Sequence, residues 1–211
     1  MIGEYGPNTD CTLCLLTRTI ERQGKAVKQY LMVRNNRGMN AGLYNFPGGK
    51  LDKDELLEEC VKREVWEETG IKIKSCKMCG KFDIYFSEPI ENSFMHPDRC
   101  RVFIYQCNEF EGKLRNPLLK EGQKVPEVKA FWCDENKIPF QNMRDNDVYW
   151  FNLYQKYQYV ANPSFIREKD KLSKIIPPKS IEEAKKENEI RDFELMTIAK
   201  HKLLAEREGL C

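Results

Sequence analysis

The sequence lacks a strong charge of either sign. Its 35 lysine and arginine residues nearly balance its 33 aspartate and glutamate residues, which leaves a formal net charge of +2 over 211 residues. A chain without a global basic field has no general attraction for nucleic acid or anionic lipid, so an anionic ligand must be bound locally. Nothing in the composition indicates a nucleic-acid partner.

Long apolar runs and a secretory signal are also lacking. The opening MIGEYGPNTD contains neither the basic nor the apolar region of a signal peptide, and no apolar stretch approaches the length that spans a bilayer. We therefore expect a soluble, intracellular protein without a membrane partner. The simplest location is the cytoplasm, and a nuclear or organellar location stays open.

Histidine is scarce, whereas cysteine is plentiful. The two histidines, His96 and His201, have no companion residues that indicate a metal site or a catalytic triad. Nine cysteines are an odd number in a chain that is neither small nor visibly secreted, so we expect free thiols. The pairs CTLC (11–14) and CKMC (76–79) have the spacing of zinc ligands, but positions three apart in a strand point to opposite faces. A four-cysteine zinc site is the less favoured alternative.

Hydrophobic periodicity predicts an α/β fold. The stretches CTLCLLTR, KQYLMVR, KFDIYFS, RVFIYQC and EVKAFWC are typical of strands, and RNNRGMNAGLYNFPGGK is typical of a long loop. The segment DKDELLEECVKREVWEETG predicts a helix that Asp52 or Asp54 caps and Gly70 ends. A second helix is predicted for DVYWFNLYQKYQYV. This order of elements indicates a mixed sheet packed by helices.

The composition changes after about residue 160. Pro177 and Pro178 lie in DKLSKIIPPKS, which we interpret as a linker because neither proline can continue a helix. Ser180 and Glu183 then form a capping box before a helix with one apolar stripe. The predicted division is a folded domain over residues 1–160 and a linker with a C-terminal helical extension over residues 161–211. The extension could pack on the domain, form a homodimer or cover a pocket.

Three glutamates gather near the end of the first predicted helix, in REVWEETG. Positions three and four apart share a helix face, so Glu64, Glu67 and Glu68 project together. Leu57 and Cys60 lie in the same sector, so the apolar stripe runs into the acidic residues. Like charges at this spacing repel one another unless a cation compensates them. A hard dication such as Mg2+ is the natural candidate, because it prefers oxygen ligands and bridges carboxylates to phosphates.

A glycine-rich segment, PGGK, precedes this helix. Gly48 and Gly49 let the backbone approach a metal ion and phosphate groups closely, and Lys50 adds a positive charge. Together with the glutamates, the segment indicates a site for a phosphorylated ligand.

The segment GKLDKDELLEECVKREVWEETGI matches every fixed position of the Nudix box, Gx5Ex7REUxEExGU with U aliphatic. The chain therefore resembles the Nudix hydrolases, and residues 1–160 would be the Nudix hydrolase domain. The resemblance implies a Nudix fold, in which a mixed β-sheet is sandwiched between α-helices. It also implies hydrolysis of a nucleoside diphosphate linked to another group, with Mg2+ or Mn2+ as cofactor.

The resemblance assigns roles to particular residues. Its implied metal ligands are the Gly48 carbonyl, Glu64, Glu67, Glu68 and, farther along the chain, Glu127. Its implied catalytic set is Glu55, Arg63, Glu64 and Glu67. In that set Arg63 orients the glutamates, Glu55 braces the loop against the helix, and Glu64 is closest to the role of base. Bound metal ions would neutralise the polyphosphate and lower the pKa of the attacking water.

Two stretches outside the box are similar to the 8-oxo-dGTP diphosphatases of the human MutT-homologue type. They are RNNRGMNAGLYNFPGGK and PEVKAFWCDENKIPFQNMRDNDVYWF, and the similarity spans roughly residues 11–155. With the glycine-rich segment, it implies a substrate-binding set of Thr12, Met39, Asn45, Gly49, Lys50, Arg144, Asn146 and Asp147.

Two residues of this set depart from that family's pattern. Arg144 replaces a tryptophan that stacks on the purine, although a guanidinium can also stack on a base. Asn146 replaces the first of two aspartates that read the base. Asn146 carries permanent donors and Asp147 can accept, so this pair is expected to favour a guanine-type edge over an adenine-type edge.

These features predict a Mg2+-dependent enzyme that hydrolyses a purine nucleoside triphosphate, such as 8-oxo-dGTP, to a nucleoside monophosphate and pyrophosphate. Its role would be to sanitise the nucleotide pool and so avoid DNA damage. One alternative is a Nudix hydrolase of capped RNA, a dinucleoside polyphosphate or a nucleotide sugar. Another is a non-catalytic module that binds a nucleotide, although the intact glutamates of the box argue against it.

Overall fold

The computed structural model describes residues 9–38, 40–87, 99–115, 117, 125–168 and 171–189. The strands in these ranges are β1 (Thr9–Arg22), β2 (Lys25–Asn35), β3 (Tyr44–Asn45), β4 (Lys72–Phe86), β5 (Arg99–Glu111), β6 (Val128–Asp134), β7 (Val160–Glu168) and β8 (Lys171–Ile176). The helices are α1 (Leu57–Thr69), α2 (Asp147–Tyr157) and α3 over residues 181–189.

The strands form one mixed sheet in the order β3-β2-β1-β5-β4-β7-β8, and β6 pairs with β2. The pairs β1–β5 and β4–β7 are parallel, and the other pairs are antiparallel. β1 changes partner along its length, because its residues 17–22 pair with β2 while its residues 9–16 pair with β5. The first half of β1 therefore has one edge that β2 does not cover.

The glycine-rich segment fills that edge. The N–H of Thr12 donates to the carbonyl of Gly49 at 2.8 Å, and the N–H of Cys14 donates to the carbonyl of Pro47 at 2.8 Å. A Cβ atom on Gly48 would lie 2.1 Å from the carbonyl oxygen of Thr12, a distance that no side chain tolerates. Glycine is therefore required for this segment to lie against β1.

Side chains alternate across β1 and build a core on each face of the sheet. Leu15 packs in the cluster that contains Trp150 of α2. Leu16 packs in the opposite cluster, which contains Val61 of α1. The predicted architecture, a mixed β-sheet sandwiched between α-helices, is confirmed.

The ends of α1 confirm one cap and correct the other. Gly70 ends the helix in the left-handed conformation, at φ 75°, as predicted. The predicted N-caps, Asp52 and Asp54, lie too early, because the N-cap is Leu56 and its N–H donates to the carboxylate of Glu59 at 3.1 Å. Asp54 has a φ of 66°, so a turn separates both aspartates from the helix.

Residues after 160 complete the sheet. The prediction placed a boundary at 160 and a linker over DKLSKIIPPKS, but residues 160–168 and 171–176 form β7 and β8. Phe165 of β7 is fully buried, and its ring meets Phe82 edge to face with centroids 5.5 Å apart. The prediction of a linker was wrong because Pro177 ends a short strand there and does not mark an unstructured segment.

The predicted capping box of α3 is present. The N–H of Glu183 donates to Oγ of Ser180 at 3.3 Å, and the N–H of Ser180 donates to the Glu183 carboxylate at 3.2 Å. The predicted apolar stripe, Ile190, Phe193, Met196, Ala199 and Leu203, lies outside the described residues. No helix within the described ranges is long and apolar enough to cross a bilayer.

The described cysteines are free thiols. The Sγ atom of Cys11 lies 3.5 Å from that of Cys100, whereas the Sγ atom of Cys14 lies 3.4 Å from that of Cys107 in the opposite core. In the part of the chain that the structure describes, no three histidine, cysteine or acidic side chains form a ready-made metal group. The zinc alternative therefore has no geometric support.

Phe165→Ala should lower the free energy of unfolding by about 3–5 kcal/mol, because it leaves a cavity where a fully buried ring stood. Ile176→Ala, at an exposed position of β8, should change it by only about 0.5 kcal/mol. Urea denaturation of both variants measures the difference. A small loss for Phe165→Ala would contradict the placement of β7 in the core.

Candidate active site

Two adjoining cavities open beside the glycine-rich segment. The first, which we call the inner pocket, has a volume of about 250 Å³ and lies between the sheet and the start of α2. The second, the carboxylate cavity, has a volume of about 800 Å³ and lies beside α1. Both cavities are lined by Asn40, Gly48, Gly49 and Lys50. A ligand can therefore extend from one cavity to the other across this segment.

The carboxylate cavity brings together the predicted acidic residues. Glu64, Glu67 and Glu68 line it from α1, and Glu127 lines it from the residue before β6. α1 is fixed by its buried face, so its acidic residues are held toward the cavity. The N–H of Gly48 donates to Oε2 of Glu68 at 3.1 Å, which ties the glycine-rich segment to the helix.

Arg63 connects this helix to the segment before it. Its guanidinium donates to both carboxylate oxygens of Glu55, at 2.7 and 2.8 Å, and to Oε1 of Glu64 at 2.8 Å. It also donates to the carbonyl of Lys50 at 3.1 Å. A planar guanidinium is suited to such a two-pronged contact. The contacts match the roles predicted for Glu55 and Arg63, which stay predictions.

Two of these carboxylates, Glu68 and Glu64, are held in an environment that disfavours their ionised forms. Burial raises the pKa of Glu68 well above its usual range, and the like charges of Glu64, Glu127 and Glu67 raise it further against the lowering effect of the Gly48 N–H. Burial also raises the pKa of Glu64, although the Arg63 guanidinium opposes it. A bound cation would relieve this accumulation of negative charge.

The donor set of the cavity fits a hard dication. Its candidate ligands are carboxylate oxygens and a backbone carbonyl, which Mg2+ and Mn2+ prefer. Gly49 keeps the approach to Glu64 open, because a Cβ atom at Gly49 would lie 2.3 Å from the Glu64 carboxyl carbon. Over the described residues these donors share one cavity but are not already gathered around a single point. The site therefore fits Mg2+ or Mn2+ by donor chemistry and charge.

The inner pocket brings together most of the predicted substrate-binding residues. The predicted residues that line it are Thr12, Asn45, Gly49, Lys50, Arg144, Asn146 and Asp147. Met39 lies outside the described residues. Asn45 also keeps a local role, because its Oδ1 accepts the N–H of Phe46 at 2.8 Å. Arg144 donates to Oδ1 of Asn40 at 2.9 and 2.6 Å, so its side chain is held at the rim, and its predicted stacking on a base stays a prediction.

Asp147 forms the polar end of the inner pocket. Its carboxylate accepts the indole N–H of Trp150 at 2.9 Å, the backbone N–H of Arg144 at 3.0 Å and the amide of Asn146 at 3.2 Å. Burial raises the pKa of Asp147 to about 6, although the Trp150 and Arg144 hydrogen bonds oppose the increase. The pocket therefore presents a buried acceptor that is ionised at neutral pH.

The apolar walls of the inner pocket were not predicted as site residues. They come from alternate positions of three adjacent strands, β1, β5 and β4, and are Cys11, Leu13, Cys100, Val102, Phe82, Ile84 and Phe86. The alternation of KFDIYFS and RVFIYQC was a signal that those of β4 and β5 share one face of the sheet. Arg167 of β7 also lines the pocket, and no motif in the sequence marks it.

A mixed sheet between helices and an acidic cavity beside a glycine-rich segment define a protein that handles phosphorylated ligands. Comparison with known proteins agrees, because the family model described as the NUDIX domain matches residues 15–154. An oxidized purine nucleoside triphosphate hydrolase from Danio rerio is 29% identical over 132 residues, which cover 62% of this chain and 75% of that protein. A protein of the same name from Mus musculus is 27% identical over 139 residues, which cover 65% of this chain and 80% of that protein.

The fold agrees with solved structures as well. A mutator MutT protein from Bacillus halodurans superposes with a TM-score of 0.59 at 24% identity, covering 79% of this chain and 95% of that chain. At this identity the likeness shows the fold alone. Because the NUDIX match covers more than half of the chain, the protein belongs to the NUDIX family, and it is a Nudix hydrolase acting on phosphoanhydrides.

Asp147→Asn should change how stability depends on pH. The pKa of Asp147 is raised from 3.8 to about 6 in the folded protein, so the folded state binds this proton more tightly than the unfolded state. The penalty for burying the ionised carboxylate is present above that pKa and is relieved as the pH falls toward 4. The stability of the parent protein relative to Asp147→Asn should therefore rise by about 1 kcal/mol from pH 7 to pH 5.

Urea denaturation at the two pH values measures this difference. Asp134→Asn is the matched control, because the Arg22 and Gln29 hydrogen bonds lower the pKa of Asp134 to about 2 and its titration falls outside the range. The difference in free energy of unfolding between the parent protein and Asp134→Asn should therefore be the same at both pH values. An unchanged difference for Asp147→Asn would contradict the buried, ionised state of Asp147.

Proposed function

We propose that the protein hydrolyses purine nucleoside triphosphates, including oxidised ones such as 8-oxo-dGTP, to a nucleoside monophosphate and pyrophosphate. Such an activity would remove damaged precursors from the nucleotide pool. The observation that carries this proposal is the junction of the two cavities at Gly48, Gly49 and Lys50. The names of the zebrafish and mouse relatives support the same substrate class.

The inner pocket suits a purine base. Its walls, Phe82 and Val102 among them, are apolar and can contact the faces of a flat ring. Its polar end offers the amide of Asn146 and the carboxylate of Asp147 to a base edge. Two groups of opposite hydrogen-bonding character fix the orientation of a base, whereas the apolar walls supply most of the contact area.

The phosphate chain would then pass the glycine-rich segment into the carboxylate cavity. Lys50 lines both cavities and supplies a positive charge along this path. The absence of side chains at Gly48 and Gly49 lets the chain pass close to the backbone. This direction places the phosphorus atoms next to the glutamates of α1.

Those glutamates would hold the divalent metal ion, together with the Gly48 carbonyl and Glu127. When bound, Mg2+ or Mn2+ supplies charge neutralisation for the polyphosphate and lowers the pKa of a bound water. Arg63 holds the Glu64 carboxylate in place through its contact at 2.8 Å. Burial raises the pKa of Glu64, which suits a carboxylate that accepts a proton from water during the reaction.

A second candidate is hydrolysis of a nucleotide that carries a further group beyond its phosphates, such as capped RNA or a dinucleoside polyphosphate. Trp66 favours it, because this side chain lines the carboxylate cavity and is 39% exposed. The Arg115 guanidinium lies 4.8 Å from the centre of the Trp66 ring. An exposed indole that lines the cavity can contact a second aromatic group. The cytoplasmic location and the homodimer through the C-terminal helix also stay predictions.

Glu67→Gln and Glu68→Gln should each lower kcat for nucleotide hydrolysis by about 100-fold or more, because each removes a charged metal ligand worth several kcal/mol. The matched control is Glu58→Gln on the same helix, where the carboxylate pairs with Lys62 at 2.7 Å outside the cavity. Chromatographic separation of the nucleotide products formed from 8-oxo-dGTP, dGTP, dATP, a dinucleoside polyphosphate and capped RNA with Mg2+ measures the activity.

The substrate panel separates the two candidates. Fastest turnover of a purine nucleoside triphosphate, lost in Glu67→Gln and kept in Glu58→Gln, is the expected result. Preference for capped RNA or the dinucleoside polyphosphate would support the second candidate. No turnover of any substrate by the parent protein would refute both and indicate a nucleotide-binding module.

A further inference from the structure

The amide of Asn146 is held between two charged side chains. Its Oδ1 accepts an N–H of Arg167 at 3.2 Å, and its Nδ2 donates to Oδ1 of Asp147 at 3.2 Å. All three residues are buried, with 2% of Asn146, 3% of Arg167 and 4% of Asp147 exposed. The side chains form one continuous network at the polar end of the inner pocket.

This network allows only one orientation of the amide. If the amide were rotated by half a turn, its NH2 group would face the Arg167 guanidinium, which has donors only. Its oxygen would face the Asp147 carboxylate, which has acceptors only when ionised. A donor would then face a donor on the Arg167 side, and an acceptor would face an acceptor on the Asp147 side. In a buried site, each hydrogen bond lost in this way costs free energy. The carbonyl of Asn146 therefore stays toward Arg167.

Arg167 is itself fixed on several sides. Its guanidinium also forms a short hydrogen bond with Asp145, and the other oxygen of Asp145 accepts the N–H of Leu172 at 2.8 Å. The backbone carbonyl of Arg167 accepts the N–H of Ser87 at 3.0 Å. These contacts anchor Arg167 to β4, β8 and the start of α2. It lies in β7, beyond residues 15–154 of the NUDIX match.

We propose that Arg167 is a positioning residue that sets base specificity by locking the Asn146 amide, so that the pocket accepts a 6-oxopurine and rejects a 6-aminopurine. The proposal rests on the purine triphosphatase function proposed above. With the carbonyl directed at Arg167 and one amide hydrogen held by Asp147, Asn146 keeps its second N–H as a donor for a ligand. Asn146 therefore acts as a donor beside an acceptor, Asp147.

The order of donor and acceptor distinguishes the two kinds of purine. From position 6 to position 1, a 6-oxopurine presents an acceptor and then a donor, whereas a 6-aminopurine presents a donor and then an acceptor. The sugar and phosphates fix the direction in which a base enters the pocket. A locked donor at Asn146 therefore pairs with one purine and opposes the other, and a rotated amide would remove the opposition at position 6.

The test compares dITP with dATP, whose bases differ only at positions 6 and 1. The parent protein should prefer dITP, and Arg167→Met should lower the ratio of their kcat/KM values by about tenfold, the size expected when one hydrogen-bonding preference is lost. Arg167→Lys and Asp145→Asn should lower it by less, because each keeps a positive charge near Asn146. If Arg167→Met does not fold, the change in ratio is measured with Arg167→Lys and Asp145→Asn instead.

A matched control separates specificity from stability. Arg99→Met removes another arginine–aspartate contact of the same sheet, with Asp83 at 2.8 Å, and it lies outside the inner pocket. A merely structural role for Arg167 would lower kcat/KM for both nucleotides equally, as expected for Arg99→Met. An unchanged dITP to dATP ratio in the Arg167 variants would overturn the proposal.

Calorimetric binding of dIMP and dAMP, the two products, is the second measurement. The affinity ratio should fall in Arg167→Met as the kinetic ratio does, and an unchanged affinity ratio would also overturn the proposal. Failure of the parent protein to turn over any nucleotide would refute the proposed function alone, since the binding ratio still decides the role of Arg167.

Discussion

The site depends on one backbone interaction, the pairing of residues 47–51 with the first half of β1. β2 leaves that edge of β1 uncovered, and the carbonyls of Pro47 and Gly49 satisfy two of its N–H groups. The paired segment then fixes α1, because the N–H of Gly48 binds Glu68 while the carbonyl of Lys50 accepts from Arg63. The same segment forms the border between the two cavities. Any side chain at Gly48 would push the segment off β1 and would disturb both cavities together.

The two ends of the site differ in how the protein stabilises a buried carboxylate. Burial raises the pKa of Asp147 only to about 6, because hydrogen bonds from the Trp150 indole and the Arg144 N–H stabilise its charge within the protein. Glu68 receives the Gly48 N–H, faces further carboxylates and has a pKa well above its usual range. An ionised carboxylate in that position gains most from an external cation. The hydrogen-bonding capacity of the Asp147 carboxylate is therefore met within the protein, whereas the Glu68 carboxylate is left among like charges.

The sequence predicted the local and charged features best. REVWEETG and PGGK were sufficient to place Glu64, Glu67 and Glu68 beside Gly48, because helix periodicity and glycine geometry are local properties. The pocket walls required knowing which strands are neighbours, and strand order depends on contacts between distant parts of the chain. The N-cap of α1 was misplaced because the left-handed φ of Asp54 is set by the turn in which it lies. No sequence motif marks Arg167, since it reaches the pocket only when β7 pairs with β4.

The strand that completes the sheet also completes the pocket. β7 contributes Phe165 to the core and Arg167 to the inner pocket, so residues beyond 160 belong to both the core and the pocket. α3 packs behind this strand, where Ala184 is fully buried against Tyr159 and Ala161. Asn188 reinforces the contact by donating to the hydroxyl of Tyr159 at 2.8 Å. On the role proposed for Arg167, changes that loosen α3 would alter base selection through β7, which carries both Ala161 and Arg167, without changing a residue of the carboxylate cavity.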